Sequence, residues 1–356
     1  MGKLFAYSGT TTKIRAMKSR LLTDSDYRDL SAMKTVTDAL VYLKKKPGYD
    51  KLFANRDERT LHRNEIEIIL IKSVYADFRK LYRFSSADQR KFLDVYFGRY
   101  ETAMLKSCMR RLFDHQSITF YTGSFREFFE KHSALDLEKL STSRTLEEFV
   151  ENLNGSRYYA PLKRVLALPS PTLWDFGMAL DLFYFQWMWE QKDSVLKDKE
   201  SQAFFMDAYG AKIDLLNLQW IYRSRKYFQM PPAQIYAMVI PVQYRLKKED
   251  IQALAEAGTP EAFRQALART WYGRHFDALT PETLSQAYMQ IRHRIQTDNA
   301  RKEPYSVATV ISYLFEKEHE IDRLTTALEG IRYGLAPEEI QNYVLVPEKT
   351  QRRYRS

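Results

Sequence analysis

Leucine and threonine residues recur in three matching frames along the chain. In each frame a threonine has a leucine five residues before it and another eight residues after it, and the threonines are Thr35, Thr145 and Thr259. An acid follows Thr35 and Thr145 after three residues, and proline follows Thr259 directly; both patterns are typical of helix starts. Because the frames are 110 and 114 residues apart, they predict three copies of one helical unit.

An acidic residue with a leucine four residues later forms a second recurring pattern. These two positions lie on one helix face and predict a long amphipathic helix in each copy. The pairs are Glu101 with Leu105, Asp214 with Leu218, and Glu320 with Leu324. Aromatic residues also follow each threonine-capped segment, at Tyr49, Tyr158–Tyr159 and Trp271–Tyr272. Leucines align by chance in many helical chains, but two independent series with nearly the same period favour a repeat.

The repeat and the composition together predict an all-α fold. Glycine and proline number 12 each among 356 residues, which is few for a many-stranded β protein. With 45% hydrophobic and 28% charged residues, the chain has an ordinary globular balance, which excludes wholesale disorder. Helix patterning lapses near residues 117–124 and 229–245, and we therefore predict three helical domains, with the bounds 1–118, 119–235 and 236–356.

Cysteine content and apolar runs limit where the chain can act. Cys108 is the only cysteine, which rules out an intramolecular disulfide and a cysteine-based zinc site. The first residues form no apolar signal segment, so we expect no secretory leader. The longest uncharged run, Tyr227 to Tyr244, contains three prolines and makes a poor membrane span. We therefore expect any membrane association to be peripheral or through a partner.

No familiar catalytic or nucleotide-binding motif is present in the sequence. The chain lacks a GxxxxGK[ST] phosphate loop, a GxGxxG turn, a GxSxG elbow and an HExxH pair. The six histidines are dispersed, without the short spacing that metal ligation usually shows. The sequence therefore predicts no catalytic residue, no metal and no cofactor. A helical enzyme without a recognisable motif stays open, although no residue pattern supports it.

The formal net charge of +10 leaves two interpretations open. Basic clusters occur in all three copies, within residues 13–20, 44–46, 106–111, 223–226, 245–248 and 352–355. Basic side chains beside aromatic ones can follow a nucleic-acid backbone, so a helical nucleic-acid-binding scaffold is one interpretation. Acidic residues interleave most of the clusters, however, which favours a solvated or partner-facing surface.

Three segments resemble the C subunit of the prokaryotic V/A-type rotary ATPases, a relative of the d subunit of the eukaryotic V-ATPase. The opening Tyr7–Leu22 is similar to the start of that family, and Ile213–Leu218 followed by Arg223 is similar to its recurrent helix. The most specific similarity lies in Lys317–Ile340. The resemblance spans essentially the whole chain and agrees with the threefold repeat, although residues 102–104 depart from the family pattern.

The resemblance implies an all-α funnel of three domains related by pseudo-threefold symmetry around a central cavity, without catalytic residues or cofactor. It implies a central-stalk subunit at the cytoplasmic face of the membrane, which receives the stalk rod and sits on the membrane rotor ring. Rod rotation would then be coupled to proton or other ion transport, driven by ATP hydrolysis or driving ATP synthesis. The chain itself would contact no nucleotide and no nucleic acid, and would reach the membrane only through the ring.

The same resemblance implies which residues contact these partners. They are the acids and one asparagine of the recurrent helices, together with the arginines that follow each acid along the chain. The predicted partner-contact residues are Glu101, Arg110, Asp214, Asn217, Arg223, Glu320 and Arg323.

Overall fold

The computed structural model describes residues 2–119, 124–276 and 279–345. Every regular element within these ranges is a helix, which confirms the prediction of an all-α fold. The chain forms two compact units. The terminal unit contains Met1–Ser86 and Gln296–Ser356, and the central unit contains Ala87–Ile295. Three domains with boundaries near residues 118 and 235 remain a prediction.

The helices run in chain order as follows. The first five are α1 (Gly2–Lys18), α2 (Asp24–Ser31), α3 (Val36–Lys44), α4 (Asp50–Phe53) and α5 (Arg63–Phe84). The next seven are α6 (Ala87–Phe113), α7 (Ser124–His132), α8 (Leu137–Ser141), α9 (Leu146–Asn152), α10 (Tyr159–Leu166), α11 (Leu173–Val195) and α12 (Lys199–Phe205). A π-helical turn (Met206–Gly210) leads into α13 (Ala211–Phe228), α14 (Pro232–Met238), α15 (Lys248–Ala255), α16 (Pro260–Arg269) and α17 (Trp271–His275). The last three are α18 (Leu284–Lys302), α19 (Val307–Arg332) and α20 (Pro337–Val344).

The three threonines of the sequence repeat cap the starts of α3, α9 and α16. Their hydroxyl oxygens accept hydrogen bonds of 3.1–3.2 Å from the backbone amides of Asp38, Glu148 and Ala262. An N-cap of this kind satisfies an amide that has no partner within the helix, and its loss costs about 1 kcal/mol. The predicted helix starts are therefore confirmed.

The leucines of both sequence patterns belong to the core. All nine side chains are at most 2% exposed: Leu30, Leu43, Leu105, Leu140, Leu153, Leu218, Leu254, Leu267 and Leu324. In the terminal unit α19 packs against α1, α2, α3, α5 and α20. In the central unit α6 packs against α11, and α13 packs against α15. The recurring leucines thus mark the helix faces that fill the cores.

The acid-bearing helices α6, α13 and α19 share one way of ending. Each is followed by a residue in the left-handed conformation, with φ of 55° at His115, 48° at Gln229 and 70° at Gly334. Glycine adopts this conformation without steric cost, whereas a residue with a Cβ atom pays roughly 1 kcal/mol. The chain therefore turns sharply 14 or 15 residues after each acid. At two of these turns, His115 and Gln229, the left-handed residue bears a Cβ atom and is strained.

None of the helices in the described ranges combines the length and the apolar composition that crossing a membrane requires.

Candidate functional site

The structure divides the predicted partner-contact residues into buried and accessible ones. Glu101, Asp214, Asn217 and Glu320 are at most 4% exposed, and each has hydrogen-bond partners inside the chain. Arg110 and Arg223 are exposed, and Arg323 is half-buried. The buried residues connect helices of this chain, and only the arginines have surface to offer a partner. Partner contact by any of them stays a prediction.

Glu320 is the centre of a buried polar cluster in the terminal unit. Its Oε1 accepts a hydrogen bond of 2.5 Å from the hydroxyl of Tyr49 and one of 2.8 Å from Nζ of Lys317. Its Oε2 accepts a hydrogen bond of 2.6 Å from the backbone amide of Leu22. Lys317 is equally buried, so it supplies the positive charge that a buried carboxylate requires. The cluster connects α19 to two separate segments near the start of the chain.

Arg323 lies one turn after Glu320 and strengthens the same connection. Its guanidinium lies 3.7 Å from the ring centroid of Tyr27 and forms an ion pair of 2.6 Å with Asp24. The hydroxyl of Tyr27 donates in turn to the backbone carbonyl of Glu320, over 3.1 Å. Arg323 thus holds α2 against α19 through a cation–π contact and a charged hydrogen bond.

Asp214 occupies the corresponding position in α13 of the central unit. Its Oδ2 accepts three hydrogen bonds, from the backbone amides of Arg245 and Leu246 at 2.7 and 2.9 Å and from the Tyr272 hydroxyl at 2.9 Å. Its Oδ1 is buried and accepts none from the described residues. Burial raises the pKa of Asp214 to about 6, although the two backbone amides act to lower it. Unlike Glu320, this carboxylate has no cation directly bound to it among the residues that the structure describes.

Asn217, three residues after Asp214, makes a closed pair of hydrogen bonds with a backbone. Its Nδ2 donates to the carbonyl of Ile240 over 3.1 Å, and its Oδ1 accepts from the amide of the same residue over 2.9 Å. Both atoms lie in a fully buried side chain. Asn217 therefore fixes the extended segment after α14 against α13.

Glu101 completes the series on α6 of the central unit. Its Oε2 accepts a hydrogen bond of 2.6 Å from the Tyr158 hydroxyl and pairs with the guanidinium of Arg157, and its Oε1 accepts a hydrogen bond from Ser133. The Arg157 guanidinium also lies 4.1 Å from the ring centroid of Trp187. Glu101 therefore has a cation and a tyrosine, as Glu320 does, but its cation comes from the turn before α10 rather than from its own helix.

The three sites share one arrangement, a buried acid that accepts a hydrogen bond from a buried tyrosine. Tyr49, Tyr158 and Tyr272 each follow a capping threonine by 13 or 14 residues. Burial above all, and the neighbouring carboxylate, hold the pKa of each tyrosine well above its ordinary value, so each stays protonated and donates. We call these pairs the acid–tyrosine connections: Glu101–Tyr158, Asp214–Tyr272 and Glu320–Tyr49.

The acid–tyrosine connections suit a structural role better than a chemical one. The oxygens of Glu101 and Glu320 are occupied by donors from the chain, and all three acids are buried. A general acid or base must reach a substrate, which these carboxylates do not. Within the described ranges no group of three or more histidine, cysteine or acidic side chains is arranged to hold a metal ion. Cys108 is buried, and burial raises the pKa of its thiol to about 12, so it is a poor nucleophile.

The sequence patterns contain the acids and the aromatic residues but do not join them. In the sequence the tyrosines are evident only as residues that follow the capped segments. Their constant distance from the capping threonine was the available signal. Each tyrosine lies in the copy after its acid, with the third acid paired to the first tyrosine.

The fold and its buried polar residues define a helical protein whose polar side chains hold its own helices together. Residues 10–343 match the sequence model of the ATP synthase (C/AC39) subunit family, and the chain belongs to that family. The similarity inferred from the sequence segments is thereby confirmed. The chain is a component of a rotary ATP synthase complex of the V/A type, a class of assemblies that transport ions.

Curated relatives match 96–97% of the chain. The C subunit of the A-type ATP synthase from Thermococcus kodakarensis is 22% identical over 348 residues, which cover 96% of this chain and 91% of the relative. The corresponding C subunit from Methanosarcina mazei is 23% identical over 355 residues, with coverages of 96% and 93%. That from Archaeoglobus fulgidus is 22% identical over 347 residues, with coverages of 97% and 98%.

Proposed function

We propose that the chain is the non-catalytic central-stalk subunit that receives the stalk rod and joins it to the membrane rotor ring. It acts at the cytoplasmic face of the membrane, as three helical domains arranged as a funnel around the rod, and it reaches the membrane only through the ring. Rotation of the rod is thereby coupled to ion transport. The chain binds no nucleotide in this role.

The acid–tyrosine connections are the observation that carries this proposal. The same connection occurs three times, and each acid is paired with the tyrosine of the next copy in a cyclic order. In the third instance Glu320, near the end of the chain, binds Tyr49, near its start. A connection that recurs three times with the same residue types is what three equivalent helical domains require. The recurrence is the support for the three domains of this proposal.

Torque transmission sets a mechanical requirement that the connections also meet. A subunit that transmits rotation must resist shear between its helices. Each connection fixes an acid-bearing helix to other segments by two or more hydrogen bonds. Two of the three acids also form an ion pair, which is buried at Glu320 and partly exposed at Glu101. Such networks rigidify a core when their members are satisfied. In this proposal the buried acids stiffen the chain, and the exposed Arg110 and Arg223 are available to contact partners.

The decisive test is co-purification with the rod subunit and the rotor ring of the same complex. The tagged chain is mixed with the purified rod at moderate ionic strength, with excess duplex and single-stranded DNA as competitors. We expect the rod to be retained and the nucleic acid to be washed away. A chain that ignores the rod and binds DNA, with an affinity that falls steeply with salt, would overturn the proposal in favour of a nucleic-acid scaffold.

Single substitutions at the exposed predicted contacts refine the same test. Three domains around one rod spread the binding energy over many contacts, so Arg110→Ala and Arg223→Ala should each cost less than about 2 kcal/mol, which is less than about 30-fold in Kd.

The isolated chain should also show no ATP hydrolysis above a buffer control. Turnover by the pure chain that disappears when one of its residues is substituted would contradict a non-catalytic role.

A further inference from the structure

A cavity of about 530 Å³ lies in the central unit at the C-terminal end of α13, next to the start of α16 and the segment before α18. Its volume is within the range of binding pockets in proteins. We call it the aromatic–basic cavity, and its principal lining residues are Tyr222, Arg225, Lys226, Gln229, Phe263 and Glu282. None of these residues takes part in the acid–tyrosine connections.

Two cations line the cavity without a carboxylate partner. Arg225 donates to the backbone carbonyls of Ala257, at 2.7 and 3.1 Å, and of Met230, at 3.1 Å, which fixes the plane of its guanidinium and leaves two of its five N–H groups for a ligand. Nζ of Lys226 donates to the Tyr222 hydroxyl over 2.9 Å. Among the described residues no carboxylate oxygen lies within 4 Å of either cation.

Glu282, the acid among the described lining residues, does not balance these charges. Glu282 forms an ion pair of 3.1 Å with Arg264, and both side chains are more than half exposed. Its charge is therefore matched by a third cation, and the cavity presents an excess of two positive charges. Charge complementarity favours a ligand with at least one carboxylate or other anionic group.

Aromatic side chains line the cavity, and the Tyr227 ring lies beside it, with its centroid 5.3 Å from Nζ of Lys226. The rings of Tyr222 and Phe263 lie 5.3 Å apart and form an apolar wall. Tyr227 and Phe228 follow directly in the chain and are 64% and 68% exposed. Gln229 then turns the chain in the left-handed conformation at the cavity itself. Exposed aromatic rings beside arginine are the typical composition of protein interfaces, where they form most of the strong contacts.

We propose that the aromatic–basic cavity binds an acidic segment of a partner subunit. A carboxylate of that segment pairs with Arg225 and Lys226, and an apolar side chain packs on Tyr222 and Phe263. A small anion would satisfy the two cations but would leave the apolar wall of Tyr222 and Phe263 and the neighbouring Tyr227 ring uncovered, which is why a polypeptide fits the surface better. The proposal needs membership of the complex, and it does not depend on the partner being the rod.

Site-specific photocrosslinking in the assembled complex tests this proposal. A photoreactive benzophenone residue replaces Gln229, and in a control it replaces Gln186, an exposed glutamine of the same unit outside the cavity. The crosslinked peptide is identified by mass spectrometry. We expect the Gln229 position to capture a segment with two or more acidic residues close to the crosslink, which the control position does not capture. No polypeptide crosslink at Gln229, or one to a segment without acids, would overturn the proposal.

Charge substitutions separate a specific contact from mere proximity. We expect Lys226→Glu to lower the crosslink yield at least tenfold and Lys226→Gln to lower it less. Lys139→Glu, at an exposed lysine in α8 of the central unit, should leave the yield within twofold. Circular dichroism and thermal unfolding establish that each variant is folded. An unchanged yield with folded Lys226→Glu would contradict the proposal.

Two further measurements distinguish this proposal from its alternatives. Titration with inorganic phosphate and with ATP tests a small-anion site. If either anion binds and no polypeptide is crosslinked at position 229, the cavity is a small-anion site and our proposal is wrong. Co-purification with the rod is measured separately. Retained rod binding without an acidic crosslink would refute the cavity proposal alone, whereas an acidic crosslink to another subunit without rod binding would refute the proposed function alone.

Discussion

The Tyr49 hydroxyl donates a hydrogen bond of 2.5 Å to Glu320, although the two residues are 271 positions apart in the chain. Leu22 and Lys317 bind the same carboxylate, so the two ends of the chain meet at one buried charge. A buried carboxylate is stable only when its donors are in place. The terminal unit therefore depends on the simultaneous presence of α19 and the first fifty residues. This dependence explains physically why both ends of the sequence belong to one unit.

The three tyrosines of the acid–tyrosine connections should respond alike to loss of the hydroxyl. Tyr49→Phe, Tyr158→Phe and Tyr272→Phe each keep the buried ring and remove one donor from a buried acid. Such a loss costs about 1–3 kcal/mol of the free energy of unfolding. Urea unfolding, followed by circular dichroism, measures the change.

Tyr343→Phe is the matched control, because the Tyr343 side chain is 72% exposed. We expect a change within about 0.5 kcal/mol there. If the three buried substitutions were as mild as the control, the acid–tyrosine connections would not hold the helices together.

Local sequence patterns predicted the helices and core positions because both depend on short spacings. The capping threonines and the leucines have the roles that their spacing indicates. The same patterns did not predict that Asp214 and Glu320 are buried, since an acid on a helix is usually solvated. Their partners lie 58 and 271 residues away, and no local pattern specifies such a pairing.

Local sequence patterns do not predict the aromatic–basic cavity either. Arg225 and Lys226 belong to a basic cluster that is evident in the sequence, but Phe263 and Glu282 come from distant segments. Only the fold brings them together. The sequence showed the charge and could not show the apolar wall beside it.

Asp214 should make the chain less stable as the pH rises from 4 to 6. Its pKa is raised to about 6 from an ordinary value of 3.8, so the folded state holds a proton that the unfolded state releases. Stability contributed by the neutral form is complete below pH 4, declines up to about pH 6 and is lost above it, with a ceiling of about 3 kcal/mol. In Asp214→Asn the amide oxygen can keep the three hydrogen bonds and cannot ionise. The unfolding free energy of Asp214→Asn relative to the unsubstituted chain should therefore rise by about 1–3 kcal/mol between pH 4 and pH 7.

The unfolding free energy of Glu320→Gln is compared with that of Asp214→Asn over the same pH series, because among the described residues Glu320 has a buried cation beside it and Asp214 does not. Glu320→Gln removes a carboxylate that neutralises buried Lys317, and breaking such a pair costs about 3–5 kcal/mol. Unfolding free energies measured from pH 4 to pH 7 compare the two variants. Parallel pH profiles for Asp214→Asn and the unsubstituted chain would show that Asp214 is ionised in the folded state throughout this range.

Gly98 permits the close approach of Trp187 beside Glu101. A Cβ atom at position 98 would lie 2.7 Å from Cζ3 of Trp187, whose ring supports the Arg157 guanidinium. Gly98→Ala should therefore destabilise the chain by about 1–3 kcal/mol through overpacking. A Cβ atom at Gly177, in α11, would meet nothing within 4 Å. Gly177→Ala should instead stabilise the chain by about 0.5–1 kcal/mol. Thermal unfolding of both variants measures this difference in sign, and equal stabilisation by both would contradict the packing argument.

The left-handed residues after α6 and α19 provide a final test of the recurring helix ends. His115 has φ of 55° and bears a Cβ atom, whereas Gly334 has φ of 70° and open space where a Cβ atom would lie. His115→Gly should therefore relieve strain and stabilise the chain by about 0.5–1 kcal/mol, after the larger backbone entropy of glycine in the unfolded state is subtracted. Gly334→Ala should destabilise by about 1 kcal/mol through backbone strain alone. Urea unfolding measures both changes. Because neither substitution removes a packing contact of a buried side chain, opposite signs can come only from the left-handed conformation, and a neutral result at both positions would refute it.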